Sequence, residues 1–240
     1  TRFEKHLDLE VLRLNSLFAN ERRKISSMER IICLAIGYVF GIFQTGYFYG
    51  KTKNVDIRQY GSGNAGTTNT LRTLGWKAGV ITFIGDCLKC VFAVLLTRII
   101  FGADHELISL LSMYTGAGVV LGHNYPFYMN FKGGKGIAAT AGLILTTHPI
   151  MFLIVAAIFA AIVLTTRYVS LGSIVIMIVY VIEVIVFGTM GGFHLNPPYI
   201  YEIYAVAVFL SIMAIYRHRE NVKRLLSGTE NKFGVINKVK

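Results

Sequence analysis

The chain has 240 residues, of which 54% are hydrophobic and only 15% are charged, and its formal net charge is +11. A soluble domain usually carries about 25% charged residues, so this composition excludes an ordinary soluble protein. The apolar residues collect in long runs, and a helix needs roughly 20 of them to cross a bilayer. The excess of Lys and Arg is therefore interpreted as loop charge that faces anionic lipid or phosphate, and not as a nucleic-acid-binding surface.

Residues 1–27 differ from the rest of the chain and are expected to form an N-terminal extension. Their apolar residues recur at helical spacing and are followed by three consecutive basic residues. This spacing indicates an amphipathic helix on the membrane surface. The alternative is a segment that is not native, since Thr1 is not a natural initiator and Met28 stands just before the first membrane run. A membrane-embedded domain is predicted over residues 28–235, with a short tail at 236–240.

Seven apolar segments of that domain are predicted to be membrane helices: 30–50, 78–101, 106–122, 137–148, 150–166, 171–191 and 199–216. The segment 137–148 is too short to span a bilayer alone. Pro149 separates it from the next segment, so the two are expected to form a hairpin or a broken pair. The predicted fold class is all-α: a polytopic membrane protein of about seven transmembrane helices, with short loop or half-helix motifs on the cytoplasmic face.

The distribution of Lys and Arg among the loops predicts which side of the membrane each loop occupies. The loops 51–77, 123–136 and 167–170 and the tail 217–240 contain 15 Lys or Arg, whereas the opposing loops from residue 31 onward contain only Arg98. Positive loops stay in the cytoplasm, so the C-terminus and these loops are predicted to lie inside. Residues 1–30 hold seven Lys or Arg, which does not fit the outside position that this topology gives them.

The first inside loop combines three glycines with hydroxyl and amide side chains and then an arginine. Glycine lets backbone N–H groups approach an anion closely, and a guanidinium adds a bidentate charged donor. A flexible polar loop would not need this combination. The candidate residues for binding phosphate here are Ser62, Gly63, Asn64, Thr68, Asn69 and Arg72.

The second inside loop ends in Lys-Gly-Gly-Lys-Gly directly before an apolar helix. This places backbone amides and two ammonium groups at a helix N-terminus, which is a ready anion site. It is not a nucleotide-binding P-loop, because the Walker spacing is missing. The candidates are His123, Lys132, Gly133, Gly134, Lys135 and Gly136.

Two further inside segments add polar groups. Ser170 and Ser173 stand at the head of a membrane helix after Arg167, and His218 and Asn221 share one helix face at i, i+3 spacing. Arg224 and Glu230 follow in the same segment. Asp86 and Lys89 lie inside a membrane segment, where charges are costly; they are predicted either to form a structural ion pair or to support the site.

Several spaced motifs together resemble the bacterial acyl-phosphate:glycerol-3-phosphate acyltransferases over roughly residues 28–235. The motifs are Gly61-Ser62-Gly63-Asn64-x-Gly66-x-Thr68-Asn69 with Arg72; Gly122-His123-x-Tyr125-Pro126 with Phe131-Lys132-Gly133-Gly134-Lys135-Gly136; Arg217-His218-x-x-Asn221 with Arg224 and Glu230; Gly85-Asp86-x-x-Lys89; and Arg167-Tyr168-x-Ser170. The chain departs from the family at Ala65-Gly66-Thr67, where Pro-Gly-Ala is usual, and at Cys90, where Gly is common.

The resemblance implies seven membrane helices in a bacterial cell membrane and a site that faces the cytoplasm. It also implies transfer of a fatty acyl group from acyl phosphate to the 1-hydroxyl of glycerol 3-phosphate, which yields lysophosphatidic acid and inorganic phosphate. Neither a metal nor coenzyme A nor another cofactor is implied. The expected partners are the two substrates and membrane lipid, with no nucleic acid and no obligate protein partner.

Roles for the candidates follow as hypotheses. Lys135 and the amides of 133–136 are expected to hold one phosphate. Ser62, Asn64 and Arg72 are expected to hold the other phosphate or the developing oxyanion. His218 and Asn221 are expected to orient the glycerol hydroxyl, whose proton is taken either by His218 or by a substrate phosphate oxygen.

A transporter of phosphate or an organic phosphate is the alternative, since multiple helices and intramembrane charges also occur in carriers. The sequence has no two-fold internal repeat, and its polar motifs collect on one predicted face instead of at the midplane. These two features favour the enzyme.

Overall fold

The computed structural model describes Glu10 and residues 27–234, so the extension predicted over 1–27 lies almost wholly outside the described residues. Over 27–234 the chain is helical, without β-strands. Its helices are α1 (27–41), α2 (Thr45–Thr52), α3 (Thr67–Leu74), α4 (Trp76–Phe101), α5 (Ile108–Asn124), α6 (Ile137–Thr147), α7 (Pro149–Thr166), α8 (Val169–Thr189), α9 (Tyr199–Arg217) and α10 (Arg219–Leu226).

Five helical regions are long and apolar enough to cross a membrane: Ser27–Thr52, Trp76–Phe101, Pro149–Thr166, Val169–Thr189 and Tyr199–Arg217. The all-helical class predicted from the sequence is therefore confirmed for the described residues, and five of the seven predicted membrane helices are long and apolar enough to span. The other two predicted segments form α5, with 17 residues, and α6, with 11. At 1.5 Å per residue α6 is only about 16 Å long, so it begins or ends well inside a bilayer of ordinary thickness.

Glycine pairs bring α1 and α5 into backbone contact. Gly37 and Gly41 of α1 face Gly118 and Gly122 of α5, and a Cβ added at any of the four would collide with backbone atoms of the opposite helix. Both pairs have the four-residue spacing that lets membrane helices approach closely. This contact fixes the end of α5, and therefore His123, against the end of α1.

A break between α1 and α2 is stabilised by a lysine from another helix. The sequence pattern predicts one continuous segment over 30–50, but the helix is interrupted at residues 42–44. Lys89 Nζ donates hydrogen bonds to the carbonyl oxygens of Gly41 at 3.1 Å and Phe43 at 2.6 Å. Gln44 Nε2 donates to the His123 carbonyl oxygen at 3.0 Å. Carbonyl groups freed by the break are thus satisfied inside the bundle, as burial requires.

A clamp at the opposite end of the bundle joins α1 to α9. The Arg30 guanidinium donates to both carboxylate oxygens of Glu202, at 2.8 and 2.9 Å, and Tyr114 Oη donates to the same carboxylate at 3.1 Å. Such a bidentate ion pair has a defined geometry as well as a charge. The clamp places the start of α1 beside the start of α9, and the other end of both helices lies at the polar loops.

Glu202→Gln is expected to destabilise the protein by about 1–3 kcal/mol, because Arg30 would lose a charged partner in a half-buried position. Thermal unfolding in detergent measures the change. Glu220→Gln serves as the control, because Glu220 pairs with Lys223 on the exposed surface, where such pairs contribute less than about 1 kcal/mol. Equal shifts for the two variants would contradict the assignment of Glu202 to a stabilising clamp.

Candidate active site

A cavity of about 240 Å³ lies at the end of the bundle that carries the polar loops. Segments that are far apart in the sequence meet there, from the loop before α3 to the segment after α10. The candidate residues that line it are Ser62, Asn64, Thr68, Asn69, Arg72, Asp86, His123, Lys135, Gly136, Ser170, Ser173, His218, Asn221 and Glu230. Gly63, Lys132, Gly133, Gly134, Lys89 and Arg224 do not line it.

Three helix N-termini converge on this cavity. The lining residues include the first residues of α3, α6 and α8, namely Thr67 and Thr68, Ile137 and Ala138, and Val169 and Ser170. The first N–H groups of a helix have no partner within the helix, and the helix dipole is positive at that end. The cavity is therefore walled by three sources of backbone N–H donors that favour anions.

Asn69 shapes the first loop. Its Nδ2 donates to the carbonyl oxygens of Ile57 at 2.8 Å and Tyr60 at 3.1 Å, and its Oδ1 accepts from the Ser62 amide at 2.8 Å. Both polar atoms of this buried side chain are occupied. Asn69 thus lines the cavity and also braces the loop that presents Ser62, and its direct contact with a substrate stays a prediction.

Glycine and Asn64 give the same loop its turns. Gly61 and Gly63 have φ values of +58° and +69°, which residues with a Cβ rarely adopt. Asn64 Oδ1 accepts from the Gly66 amide at 2.9 Å, in the manner of an Asx turn. Gly63 thus acts on the backbone only, and the side-chain amide nitrogen of Asn64 stays available to the cavity.

The glycines of the second loop hold the loop against α5. The amides of Gly133 and Gly134 donate to the carbonyl oxygens of Asn124 at 3.1 Å and His123 at 3.0 Å. Their own carbonyl oxygens accept from Arg217 Nη2 at 3.0 and 2.8 Å. Both amides are therefore committed to α5 in this structure, and the phosphate contact expected of them stays a prediction. The first residues of α6, Ile137 and Ala138, line the cavity.

Gly134→Ala is expected to lower the free energy of unfolding by about 1–3 kcal/mol, because the added Cβ overpacks a closed contact. That Cβ would collide with the His123 imidazole ring, and one at Gly133 would collide with the His123 carbonyl oxygen and Pro126. Thermal unfolding with Lys132→Ala as the control measures the effect, since Lys132 is an exposed residue of the same loop. A Gly134 variant as stable as the Lys132 variant would refute this packing role.

Lys135 carries the charge at the start of α6. Its Nζ donates a hydrogen bond to Asn221 Oδ1. Burial, together with the nearby Arg224 guanidinium, lowers the pKa of Lys135 to about 8. Lys132, the other lysine of the motif, is exposed and lies away from the cavity. The structure therefore places one of the two predicted lysines at the site.

His218 has a fixed tautomer. Its Nδ1 lies 2.8 Å from the Ala214 carbonyl oxygen, which can only accept, so Nδ1 carries the proton and Nε2 is an acceptor. Burial, reinforced by the Lys135 ammonium, lowers the pKa of His218 to about 4. The neutral ring thus offers a hydrogen-bond acceptor to the cavity near pH 7.

Asn221 links Lys135 to a buried carboxylate. Its Nδ2 donates to Glu230 Oε1 at 3.0 Å, and Arg224 Nε donates to Glu230 Oε2 at 2.8 Å. Arg72 contacts the residue that follows Glu230: its Nη2 donates a hydrogen bond to the Asn231 carbonyl oxygen at 3.1 Å. Arg224 does not reach the cavity, so it acts on the site through Glu230.

Asp86, Lys89 and His123 form a buried cluster at the cavity wall. Lys89 Nζ lies 3.0 Å from Asp86 Oδ1 and 2.9 Å from His123 Nδ1. Because an ammonium only donates, His123 Nδ1 accepts and its Nε2 carries the proton. The ion pair expected from the sequence is present, and it also holds the imidazole and the α1–α2 break in place.

Several lining residues are absent from the sequence-based candidates. Thr67 has a buried hydroxyl for which residues 27–234 offer no hydrogen-bond partner. Its place between Gly66 and Thr68, in the first inside loop, is a signal that could have identified it. The other missed residues are the apolar Leu71, Phe83, Ile137, Ala138, Phe159, Val163, Val169 and Phe233, together with Gly66. Apolar residues are common throughout such a chain, so no local pattern distinguishes those that face a cavity.

These features define a multi-pass integral membrane protein with a polar, cation-bearing cavity at one end of its helical bundle. The family model described as glycerol-3-phosphate acyltransferase matches residues 31–228. The chain therefore belongs to the glycerol-3-phosphate acyltransferase family.

Individual relatives agree with this assignment. The chain is 39% identical over 214 residues to a glycerol-3-phosphate acyltransferase of Thermoanaerobacter sp. (strain X514), covering 89% of this chain and 100% of the relative. It is 42% identical over 208 residues to one of Clostridioides difficile (strain 630), covering 85% and 95%. Its fold matches the crystal structure of PlsY (YgiH), an integral membrane glycerol 3-phosphate acyltransferase in its glycerol 3-phosphate form, with TM-score 0.73, 36% identity and coverage of 85% and 96%. The lysophosphatidic acid form of PlsY matches with TM-score 0.71.

Proposed function

We propose that the protein transfers a fatty acyl group from acyl phosphate to the 1-hydroxyl of sn-glycerol 3-phosphate. The products are lysophosphatidic acid and inorganic phosphate. The observation that carries this proposal is the convergence of the α3, α6 and α8 N-termini, with Lys135 and Arg72, on one cavity. Both substrates bear a phosphate, and helix N-termini with basic side chains suit two anions in one site. Membership of the family and the likeness to PlsY with glycerol 3-phosphate support the acceptor.

An apolar wall supports a lipid donor. Leu71, Phe83, Phe159 and Val163 line the cavity beside its polar groups. Phe83 is also 38% exposed, so the apolar wall has an accessible edge on α4, a helix long and apolar enough to span a membrane. An acyl chain could therefore extend from the polar end of the cavity into the bilayer, where its burial is favourable.

The donor is already activated, so the residues need only position the substrates and stabilise charge. The glycerol hydroxyl oxygen forms a bond to the acyl carbonyl carbon, and the bond from that carbon to the phosphate oxygen breaks. The electron pair and the hydroxyl proton both end on the departing phosphate. No step in this sequence calls for a metal, coenzyme A or another cofactor.

His218 is better suited to orient the attacking hydroxyl than to act as the general base. Its neutral Nε2 accepts the hydrogen bond of the attacking hydroxyl. With a pKa of about 4 it is less basic than a phosphate group, whose second pKa is roughly 6. A substrate phosphate oxygen therefore receives the proton, and Asn221 keeps Lys135 in place beside it.

The remaining roles follow from position. Lys135 and the amides that begin α6 hold one phosphate. Ser62, Asn64 and Arg72, with the amides that begin α3, hold the other phosphate or the developing oxyanion. Ser170 adds a buried hydroxyl that has no hydrogen-bond partner within the part of the chain that the structure describes.

The cavity is proposed to face the cytoplasm of a bacterial cell, with the C-terminus inside the cell membrane. The support is the bias, counted from residue 31 onward, of 15 Lys or Arg in the loops and tail on the cavity side against one in the opposing loops. The partners in this account are the two substrates and membrane lipid, with no nucleic acid and no obligate protein partner.

Purified protein in detergent, supplied with a long-chain acyl phosphate and glycerol 3-phosphate, tests the function. Release of inorganic phosphate that requires both substrates is expected. The same protein in sealed vesicles distinguishes a carrier, for which labelled glycerol 3-phosphate would accumulate inside without acylation. Uptake without phosphate release would refute the enzyme assignment.

A further inference from the structure

Asp86 presents an unsatisfied carboxylate oxygen at the cavity wall. The residue is 1% exposed, and its Oδ1 is held by Thr45 Oγ1 at 3.0 Å and by Lys89 Nζ at 3.0 Å. Its Oδ2 is buried and has no hydrogen-bond partner among the described residues, although Asp86 lines the cavity. A buried acceptor left unpaired is costly. This oxygen is therefore placed for a donor that arrives with a ligand.

The second carboxylate among the described lining residues, that of Glu230, has no unpaired oxygen. Both oxygens of Glu230 are taken, one by Asn221 and one by Arg224. Asp86 is also rigid, because Thr45, Lys89 and His123 surround its other oxygen. The cavity thus contains one fixed, free anionic acceptor within a site otherwise suited to anions.

The hydrogen-bond donors of the two substrates determine which group can bind to Asp86 Oδ2. A phosphate group is repelled by a carboxylate, and an ionised acyl phosphate has no O–H donor. Glycerol 3-phosphate has two hydroxyl donors, of which the reacting one is assigned to His218 Nε2. The hydroxyl at C2 remains, and it is the donor that matches a carboxylate oxygen.

We propose that Asp86 Oδ2 binds the C2 hydroxyl of the acceptor and makes Asp86 a specificity-determining residue, an inference that rests on the proposed function. The acceptor is then held at three points: its phosphate, its C1 hydroxyl and its C2 hydroxyl. A site built around a substrate hydroxyl rejects analogues that lack it, because its own polar group is left unpaired.

Two analogues test this with the wild-type protein. In 3-hydroxypropyl phosphate the C2 hydroxyl is replaced by hydrogen, and kcat/KM is expected to fall roughly 10- to 100-fold, the value of one hydrogen bond to a charged group. In the 2-deoxy-2-fluoro analogue an acceptor replaces the donor, and kcat/KM is expected to fall further. Either analogue reacting as well as glycerol 3-phosphate would overturn the proposal.

Asp86→Asn, with Thr45→Val as the matched control, tests whether Asp86 is the residue that discriminates between glycerol 3-phosphate and its analogues. The Asn variant is expected to lose roughly tenfold or more with glycerol 3-phosphate and to change little with 3-hydroxypropyl phosphate, so the discrimination disappears. Thr45→Val removes a donor to Oδ1 only and is expected to keep the discrimination. Equal losses with both acceptors in Asp86→Asn would show a merely structural role and overturn the proposal. A wild-type protein that acylates no acceptor would instead refute the proposed function.

Discussion

Replacing Lys135 by Met is expected to lower kcat/KM for acyl transfer roughly 10²- to 10³-fold, as the loss of a preorganised charge at a developing anion does in other enzymes. Lys135 stands at the start of α6, lines the cavity and is bonded to Asn221. Without its ammonium, the helix dipole and Arg72 alone would face the phosphate at this point. Phosphate release from saturating acyl phosphate, measured against glycerol 3-phosphate concentration, gives the two constants.

The control is Lys132→Met, which removes an exposed lysine of the same motif outside the cavity. It is expected to leave kcat/KM within about threefold of the wild type, because exposed charges away from a site contribute little. If Lys132→Met were as damaging as Lys135→Met, the loop's total charge would matter and the position of Lys135 would not.

The pH profile gives a second signature of Lys135. Because burial lowers its pKa to about 8, the ammonium is charged below that pH and neutral above it. Wild-type kcat/KM, which reports the free enzyme, is therefore expected to fall as pH rises through about 8. The Met variant should lack this alkaline limb, since it has no group to titrate there.

Replacing His218 by Ala is expected to lower kcat roughly 10²- to 10³-fold, a loss typical of a group that contacts the reacting hydroxyl. The buried ring holds its Nδ1 proton on Ala214, and its Nε2 lies ready to accept. His218→Gln restores an acceptor and should recover part of the loss if the residue orients the hydroxyl. Single-turnover acyl transfer across pH 5 to 9 compares the three proteins.

The Gln variant separates the two roles of His218. Partial rescue with an unchanged pH profile is the result expected for orientation, with the proton ending on phosphate. Gln as inactive as Ala would indicate that His218 is the general base, because a Gln side chain accepts a hydrogen bond but does not take up a proton. Near-normal turnover in His218→Ala would remove the residue from the reaction altogether.

The sequence predicts much of the cavity because its polar motifs stand at the ends of apolar segments on one side. Those ends must meet wherever the helices pack side by side, so residues such as Ser170 and Asn221 could be grouped without coordinates. Which hydrogen bonds each polar group makes could not be predicted. Asn69 and the Gly133 amide look like phosphate ligands by residue type, yet both are satisfied within the protein.

The fold shows a similar limit. Apolar length predicts the membrane segments closely, but the α1–α2 break follows no proline, and the carbonyl groups it frees are satisfied by Lys89 from a different helix. Long-range compensation of this kind leaves no local pattern. The glycine pairs at 37 and 41 and at 118 and 122 do carry a sequence signal for close helix packing, and with it the contact of α1 and α5 could have been predicted.

The central claim is that the cavity walled by the α3, α6 and α8 N-termini performs the acyl transfer. Its most direct test is the quantitation of products formed from acyl phosphate and glycerol 3-phosphate by the purified wild type, Lys135→Met and His218→Ala, with folding checked by thermal unfolding. Equimolar lysophosphatidic acid and inorganic phosphate from the wild type, and little of either from the two folded variants, is the predicted result. Product formation at the wild-type rate by both variants, or phosphate release without an acylated product, would contradict it.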